Sequence, residues 1–418
     1  MASLDERIHA ICLDARKAAR EIAPRSTADK NRALAAVAAE LAAAKEKILR
    51  ANAEDLAAGR DKGLSSALLD RLMLDDARIA AMVKSVEEVR ELPDPVGSTI
   101  AASTRPNGLR VSRVRVPLGV VAMIYEARPN VTVEASTLTL KTGNAIVLRG
   151  GSEAARSNAA LAEVLGDALD KASFPRASVN VVPFTERDAV RALVQQSGLV
   201  DLAIPRGGEA LIRFVTENAR VPVVQHYKGV CHMFLDAGAD AALAEKLVLN
   251  AKLSRPAACN ALECLLVDAA DAARLLPPLA DALLARGCEL RGDPRARELA
   301  PGMKEAAASD WGTEFGEPIL AVRVVDGLEG ALEHVAAYGS GHTEAIVTTH
   351  AEHAARWRNE VDAACVVVNA STRFHDGGEL GLGAEIGIAT SRLHWRGPMG
   401  LESLTTMKWV IDGEGQIR

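Results

Sequence analysis

Gly119–Gly150 reads GVVAMIYEARPNVTVEASTLTLKTGNAIVLRG, and this stretch decides the fold. Two short apolar runs, Val120–Ile124 and Ala145–Leu148, stand either side of a segment long enough for a helix. The alternation continues through Val179–Val182, Val200–Ile204 and Val221–Val224, with helical patterns such as Glu153–Lys171 and Glu186–Gln196 in the gaps. Apolar strands alternating with helices predict a parallel sheet covered on both faces. From Cys231 a second series begins: His232–Leu235, Leu262–Val267, Ile319–Val325, Glu344–Thr348 and Cys365–Asn369. The expectation is an α/β protein with two parallel-sheet domains.

Upstream of the quoted stretch the period changes. Residues 1–92 read as helix, with Ile8, Ile11, Cys12, Ala15, Ala19 and Ile22 at helical spacing. A second helix follows the Ser26/Thr27 cap and carries Leu34, Val37, Leu41, Ile48 and Leu49 on one face. Ser65/Ser66 open a third helix and Asp75/Asp76 a fourth, until Pro93-Asp94-Pro95 stops the pattern. Thr104-Arg105-Pro106-Asn107-Gly108 then signals a hairpin. Beyond it Leu109 and Val111 alternate with polar residues before the phase slips to Val114 and Val116, which predicts a bulge. Arg105, Arg110, Arg113 and Arg115 keep this ribbon out of a core; it is a projecting arm or a solvated edge hairpin.

Composition narrows the function classes. The 418 residues carry 49 Lys+Arg against 55 Asp+Glu, a net charge of −6, so no basic footprint for nucleic acid exists. Aromatics are only 3%, too few for base-stacking platforms. Apolar runs break well short of the ~20 residues a membrane helix needs, and acids precede any apolar run at the start, unlike a signal peptide. Six scattered cysteines with no CxxC suggest free thiols in a reducing compartment, and the expected location is cytoplasmic.

Few places carry chemistry. Gly381-Leu382-Gly383-Ala384-Glu385-Ile386 begins like a dinucleotide fingerprint, but no strand–turn–helix surrounds it, so it is rejected. Arg206-Gly207-Gly208 is better placed, after an apolar strand and before a helix; it is a phosphate turn or simply a tight turn. Arg149 ends another strand, where it would meet a phosphate or stand as a surface arginine. Cys12, Cys231, Cys264 and Cys365 read as small buried hydrophobes, and Cys288 is ambiguous. Cys259 differs, lying in a polar, small-residue loop near Lys252 and Arg255, two cations that would favour a thiolate; nucleophilic and structural readings both stand. His350 and His353 form the only close histidine pair and lack a third ligand, so no metal is expected.

Residues 254–263, SRPAACNALE, resemble the active-cysteine segment of the gamma-glutamyl phosphate reductases, a branch of the aldehyde dehydrogenase superfamily. Ile124–Thr132 (IYEARPNVT), Asn369–Phe374 (NASTRF), Arg396–Leu401 (RGPMGL) and GLGAEIGIAT within Leu380–Thr390 agree with it, so the resemblance runs along nearly the whole chain. It implies an aldehyde-dehydrogenase-like fold. Residues 1–97 and 119–229 would bind the cofactor, 230–375 would be catalytic, 98–118 and 394–418 would form an oligomerisation arm, and 376–393 would return to the cofactor domain. It also implies NADPH-dependent reduction of L-glutamate 5-phosphate to L-glutamate 5-semialdehyde in proline biosynthesis, by a homo-oligomer, with channelling from a glutamate kinase.

Carried across, Cys259 is the nucleophile and Asn130 the oxyanion donor. Arg206, Gly207 and Gly208 lie below the cofactor phosphates, Glu314 holds the nicotinamide ribose, and Arg149 with Ser152 meets the adenosine ribose. Arg128 and Arg373 are candidates for the substrate's anionic groups. Oxidising relatives place a glutamate base upstream of the cysteine. Here Val221–Leu235, VPVVQHYKGVCHMFL, has no Glu or Asp, and His226 stands near that place. Without a carboxylate base water attack is disfavoured, which suits a reductase. Ser152 in place of an acid favours a 2′-phosphate, although Glu153 adjoins it. The alternatives are a semialdehyde-oxidising dehydrogenase and a silent nucleotide-binding scaffold.

Overall fold

The computed structural model describes residues 2–418. In chain order its elements begin with α1 Leu4–Ile22, α2 Thr27–Ala43, α3 Lys45–Asp61, α4 Ser66–Leu72, α5 Asp76–Glu91, β1 Thr99–Thr104 and β2 Arg110–Pro117. There follow β3 Val120–Tyr125, α6 Asn130–Lys141, β4 Ala145–Gly150, α7 Ala155–Lys171, β5 Val179–Val181, α8 Arg187–Val194, β6 Leu202–Arg206 and α9 Glu209–Asn218. The second series is β7 Cys231–Leu235, α10 Ala241–Leu253, β8 Leu262–Asp268, α11 Ala272–Leu284, β9 Glu289–Gly292, α12 Pro294–Leu299, β10 Lys304–Glu305, β11 Ile319–Val325, α13 Gly327–Tyr338, β12 Thr343–Val347, α14 Ala351–Glu360 and β13 Cys365–Val368. Two-residue β14 Ile388–Ala389 and β15 Gly397–Pro398 precede the last strand, β16 Thr405–Asp412.

Two compact units result. The first gathers the chain through Gln225 with Gly381–Gly387 and Met399–Arg418, and the second gathers His226–Leu380 with Ile388–Pro398. Of the 376–393 segment, expected to return to the cofactor domain, residues 381–387 group with the first unit and the remainder with the second.

In the first unit a parallel sheet of order β5-β4-β3-β6 lies among helices. β3 is buried along its whole length, which a central parallel strand requires. Because β4 and β5 extend one side of β3 and β6 the other, the topological switch falls between β3 and β6. Val221–Val224 is no fifth strand: only an isolated bridge, Ala203 to Val223, forms there, and Pro222 has no N–H to extend it. The long second helix is two, α2 and α3, which meet at Ala44 without a Gly or Pro. Lys30, almost fully buried, pairs with Asp94 of the Pro-Asp-Pro stop at 2.5 Å.

β1, β2 and β16 make a separate antiparallel sheet in that order. The bulge is not on β2, which pairs without interruption from Arg110↔Asp412 to Pro117↔Thr405. The register shifts on β1 instead, between Thr99↔Val114 and Ala101↔Arg113. β2 is held straight by two neighbours, so the edge strand takes the extra residue.

The second unit holds a seven-stranded parallel sheet, β10-β9-β11-β8-β7-β12-β13. Strands β9 and β10 escape the apolar periodicity; they are short, and their alternation is masked by Glu289, Arg291, Lys304 and Glu305. Apolar clusters cover both faces, one around Leu247, Leu265 and Leu279, the other around Phe234, Trp311 and Trp357.

Candidate active site

In the first unit, the carboxyl ends of β3 and β6 flank the switch point, where open parallel sheets take ligands. Arg206-Gly207-Gly208 leaves β6 and opens α9. No side chain caps α9; the Gly208 N–H instead donates to the Glu126 carboxylate at 3.0 Å. A side chain at Gly207 would strike Glu126 at 2.4 Å. An anion thus already stands at this helix N-terminus, as the dipole favours. Next to Glu126, Ala127 has φ +40, a left-handed conformation rare for alanine, and its N–H donates to Glu153. That bend delivers Arg128, exposed, and Asn130, the first residue of α6. The Asn130 amide donates one hydrogen bond to Glu134 at 2.9 Å.

Arg149 is the penultimate residue of β4 and is 8% exposed. Its Nη2 donates to the Thr185 and Glu186 carbonyls, while its Nε is buried with no partner. Burial holds this guanidinium below its ordinary value. Ser152 is exposed in the turn before α7.

In the second unit the chemistry gathers at the amino ends of the strands. Cys259 sits in the loop between α10 and β8, partly exposed. Gly229, just before β7, packs against its backbone so closely that a methyl there would lie 2.0 Å from the Cys259 carbonyl oxygen. The Gly229 N–H donates to Glu314 at 2.9 Å, which sets that carboxylate beside the cysteine loop. Beneath, the Cys231 thiol donates to the Cys259 carbonyl at 3.3 Å and lies 3.7 Å from His342 Nδ1. The hydrogen-bonded chain runs on through the Thr343 hydroxyl to His375 Nδ1, each step 2.7 Å. His226 completes the group, its ring 5.7 Å from that of His342. Burial keeps the His342 and His375 imidazoles neutral, pushing His375 down to about 4 and His342 well below its ordinary value. It also pushes the Cys231 thiol far up, so Cys231 stays protonated and able to donate.

Cys231 is therefore a hydrogen-bonding support as well as a buried hydrophobe. Lys252 does not serve the Cys259 thiolate: it is fully buried and pairs with equally buried Glu263 at 2.6 Å. Burial pushes the Glu263 carboxyl up to about 7 even so. Of the two expected cations only Arg255 is exposed beside the loop. The Val221–Leu235 run lacks acids as expected, but Glu314 enters the same neighbourhood from a distant segment. Sequence spacing carries no signal for Gly229 or the His342–Thr343–His375 chain. A glycine two residues before a strand, and histidines flanking others, look ordinary until the strands are ordered in space. Arg373 lies on a loop tied to the Cys259 segment, since Asn260 Nδ2 donates to the Arg373 and His375 carbonyls at 3.3 and 3.0 Å. The Gly381–Ile386 run forms no helix or strand, which agrees with its rejection as a phosphate loop.

Comparison with known proteins extends these observations. The model of the aldehyde dehydrogenase family matches residues 2–308. A gamma-glutamyl phosphate reductase of Sorangium cellulosum is 58% identical over 99% of this chain and 98% of its own. One from Geobacter metallireducens is 52% identical over the full length of both. The crystal structure of gamma-glutamyl phosphate reductase from Thermotoga maritima superposes with a TM-score of 0.97, at 44% identity, covering 98% of this chain and 99% of that one.

Proposed function

The chain belongs to the aldehyde dehydrogenase family, and from that premise we propose that it reduces L-glutamate 5-phosphate to L-glutamate 5-semialdehyde, releasing phosphate, in proline biosynthesis. The observation that carries the reading is full-length similarity to gamma-glutamyl phosphate reductases, supported by the Cys231 thiol that holds the Cys259 carbonyl. Residues 1–97 and 119–229 are assigned to the cofactor, and 230–375 to catalysis.

The cofactor is NADPH, which supplies a hydride when bound. The β3/β6 switch point fits a dinucleotide: Gly208 already offers its N–H to a carboxylate, and Arg149 keeps a buried Nε without a partner, a donor suited to a ribose 2′-phosphate. Arg149 and Ser152 take the ribose end, Arg206, Gly207 and Gly208 the phosphates, and Glu314 the nicotinamide ribose.

Cys259 attacks the acyl phosphate carbon as a thiolate. The bond from Sγ to the acyl carbon forms as the acyl C–O bond to phosphate breaks, leaving a thioester and inorganic phosphate. Asn130 donates its amide to the oxyanion that develops on the carbonyl oxygen. Arg128 and Arg373 hold anionic groups of the substrate. The hydride that bound NADPH would supply would reduce the thioester to the aldehyde, and Cys259 would leave again as the thiolate. Water is expected to compete poorly for the thioester because Val221–Leu235 holds no carboxylate to serve as its base.

The reverse reaction tests this. With semialdehyde and NADP but no phosphate, the protein is expected to give at most one burst of NADPH, and added phosphate restarts turnover. A positioned base contributes roughly 10²–10⁴-fold, so hydrolysis should lag phosphorolysis by about that factor. Cys259→Ser abolishes both. Steady phosphate-independent turnover to glutamate would replace this reading with the oxidising dehydrogenase.

Residues 98–118 and 394–418 are assigned as an oligomerisation arm of a homo-oligomer. Its β16 is an edge strand, with Trp409 65% and Ile411 61% exposed. The acyl phosphate is labile in water, which favours channelling from a glutamate kinase. An unchanged product yield when hydroxylamine is added to the coupled enzymes is the outcome expected of direct transfer. Six free cysteines agree with a cytoplasmic location, and no helix among the described residues is long and apolar enough to cross a membrane.

A further inference from the structure

We infer that a pocket in the second unit, between the end of α10 and the loop after β13, takes the α-amino-acid end of the substrate. Arg373 binds its α-carboxylate, and Asp376 with Glu379 binds its α-ammonium. The inference rests on the proposed substrate and adds the residues that would make it specific for an amino acid.

The pocket has a volume of about 460 Å³ and is lined by Asn250, Ser254, Arg373, Phe374, Asp376 and Glu379. One guanidinium and two carboxylates therefore share a small space. They form no ion pair with one another, nor does Arg373 with any carboxylate among the described residues, in a chain where most buried and half-buried charges are paired. Opposite charges held apart in one pocket match a zwitterion, whose carboxylate and ammonium leave a single carbon in different directions. Phe374, 51% exposed, offers an apolar wall for the methylene chain.

The wall is fixed relative to the nucleophile. The Thr372 hydroxyl donates to the Asn260 carbonyl at 2.7 Å, and Asn260 Nδ2 returns hydrogen bonds to the carbonyls of Arg373 and His375. Asn260 follows Cys259 directly, so Arg373 and Asp376 are carried on a loop bolted to the catalytic segment. Asp376 is oriented in turn, its Oδ1 accepting the Gly378 N–H at 3.0 Å. The Ser371 hydroxyl accepts the Arg373 N–H at 3.3 Å and steadies the same turn.

The test compares three aldehydes in the reverse reaction with phosphate and NADP: glutamate semialdehyde, glutarate semialdehyde, which lacks the ammonium, and 4-aminobutanal, which lacks the carboxylate. Removing one charge-assisted hydrogen bond should lower kcat/KM roughly tenfold to a hundredfold, mostly through KM. Asp376→Asn should impose that fall on glutamate semialdehyde and 4-aminobutanal while leaving glutarate semialdehyde within about twofold. Glu379→Gln should show the same pattern more weakly. Arg373→Gln should do the reverse, sparing 4-aminobutanal. Equal losses on all three aldehydes, or no loss in any variant, would overturn the subsite. An unmodified protein that fails to reduce NADP with glutamate semialdehyde and phosphate would instead overturn the proposed reaction itself.

Discussion

At the scale of single residues, the cysteine loop depends on an absence. Gly229 has no side chain, and the Cys259 carbonyl occupies the space where one would be. Gly229→Ala must push the two backbones apart, and misplacing a reacting group by about 1 Å costs on the order of 10²-fold in rate. We expect kcat to fall by about that factor while cofactor binding and far-UV circular dichroism stay unchanged; a variant with full activity would show that the loop tolerates the shift. Cys259 is legible in the sequence because its small polar surroundings differ from those of the other five thiols. Its supports are not. Cys231 looks like a strand hydrophobe, and only the approach of β7 to the cysteine loop turns its S–H toward the Cys259 carbonyl. Lys252 misleads the other way: its nearness in sequence suggests help for the thiolate, yet one turn of helix aims it inward at Glu263.

At the scale of elements, strand and helix periodicity locates most of the parallel-sheet architecture, and the failures share a cause. β9 and β10 are short and charged, the Val221–Val224 run is apolar but has Pro222 in it, and the α2–α3 break has no marker residue. At β9, β10 and the α2–α3 break neighbours rather than local propensity decide the outcome, whereas at Val221–Val224 Pro222 itself withholds the N–H of a further ladder bond. Pro93-Asp94-Pro95 reads as a stop and is one, but Asp94 also neutralises the buried Lys30, which local sequence does not reveal. β16 provides the test of the arm. Replacing Trp409 and Ile411 by Asp puts charge on the exposed face of a strand whose free edge would pair with another copy. Sedimentation is expected to show the mass falling to a single chain with the parallel sheets intact; an unchanged mass would remove the arm assignment.

At the scale of the whole molecule, the second unit buries histidines of opposite character. Burial pushes His334 down to about 3, His375 to about 4, and His342 well below its ordinary value. His232 is raised to about 10: burial opposes its charge, but the Glu344 carboxylate 2.9 Å away outweighs it. The three lowered groups stay neutral in the fold, so below about pH 6.5 the unfolded chain takes up protons that the native chain refuses, and stability falls as pH falls. His232 acts oppositely: its contribution is full below about 6.5 and is lost as pH rises toward 10. Buried Glu263, raised to about 7, also favours the fold as pH falls through that value, because only the native chain then takes up its proton. These contributions oppose one another in the unaltered protein, and removing one histidine isolates its share. Between pH 7.5 and 5.5 each lowered imidazole should cost about 1.4 kcal/mol of stability. His334→Gln deletes one such cost, so the change in its urea-derived stability from pH 7.5 to 5.5 should be about 1.4 kcal/mol more favourable than the unaltered protein's. The same pH dependence in both would mean that His334 titrates as freely in the fold as in the unfolded chain. By itself the sequence determined two parallel α/β units and a hairpin, and it singled out Cys259 and the Arg206-Gly207-Gly208 turn, because apolar periodicity and glycine placement are local properties of the chain. Strand order, the β3/β6 switch point, the shared return segment and the supports under Cys259 were decided only by tertiary structure. Each is a meeting of segments that are distant along the chain and unmarked by any local pattern, brought together when apolar strands bury against one another.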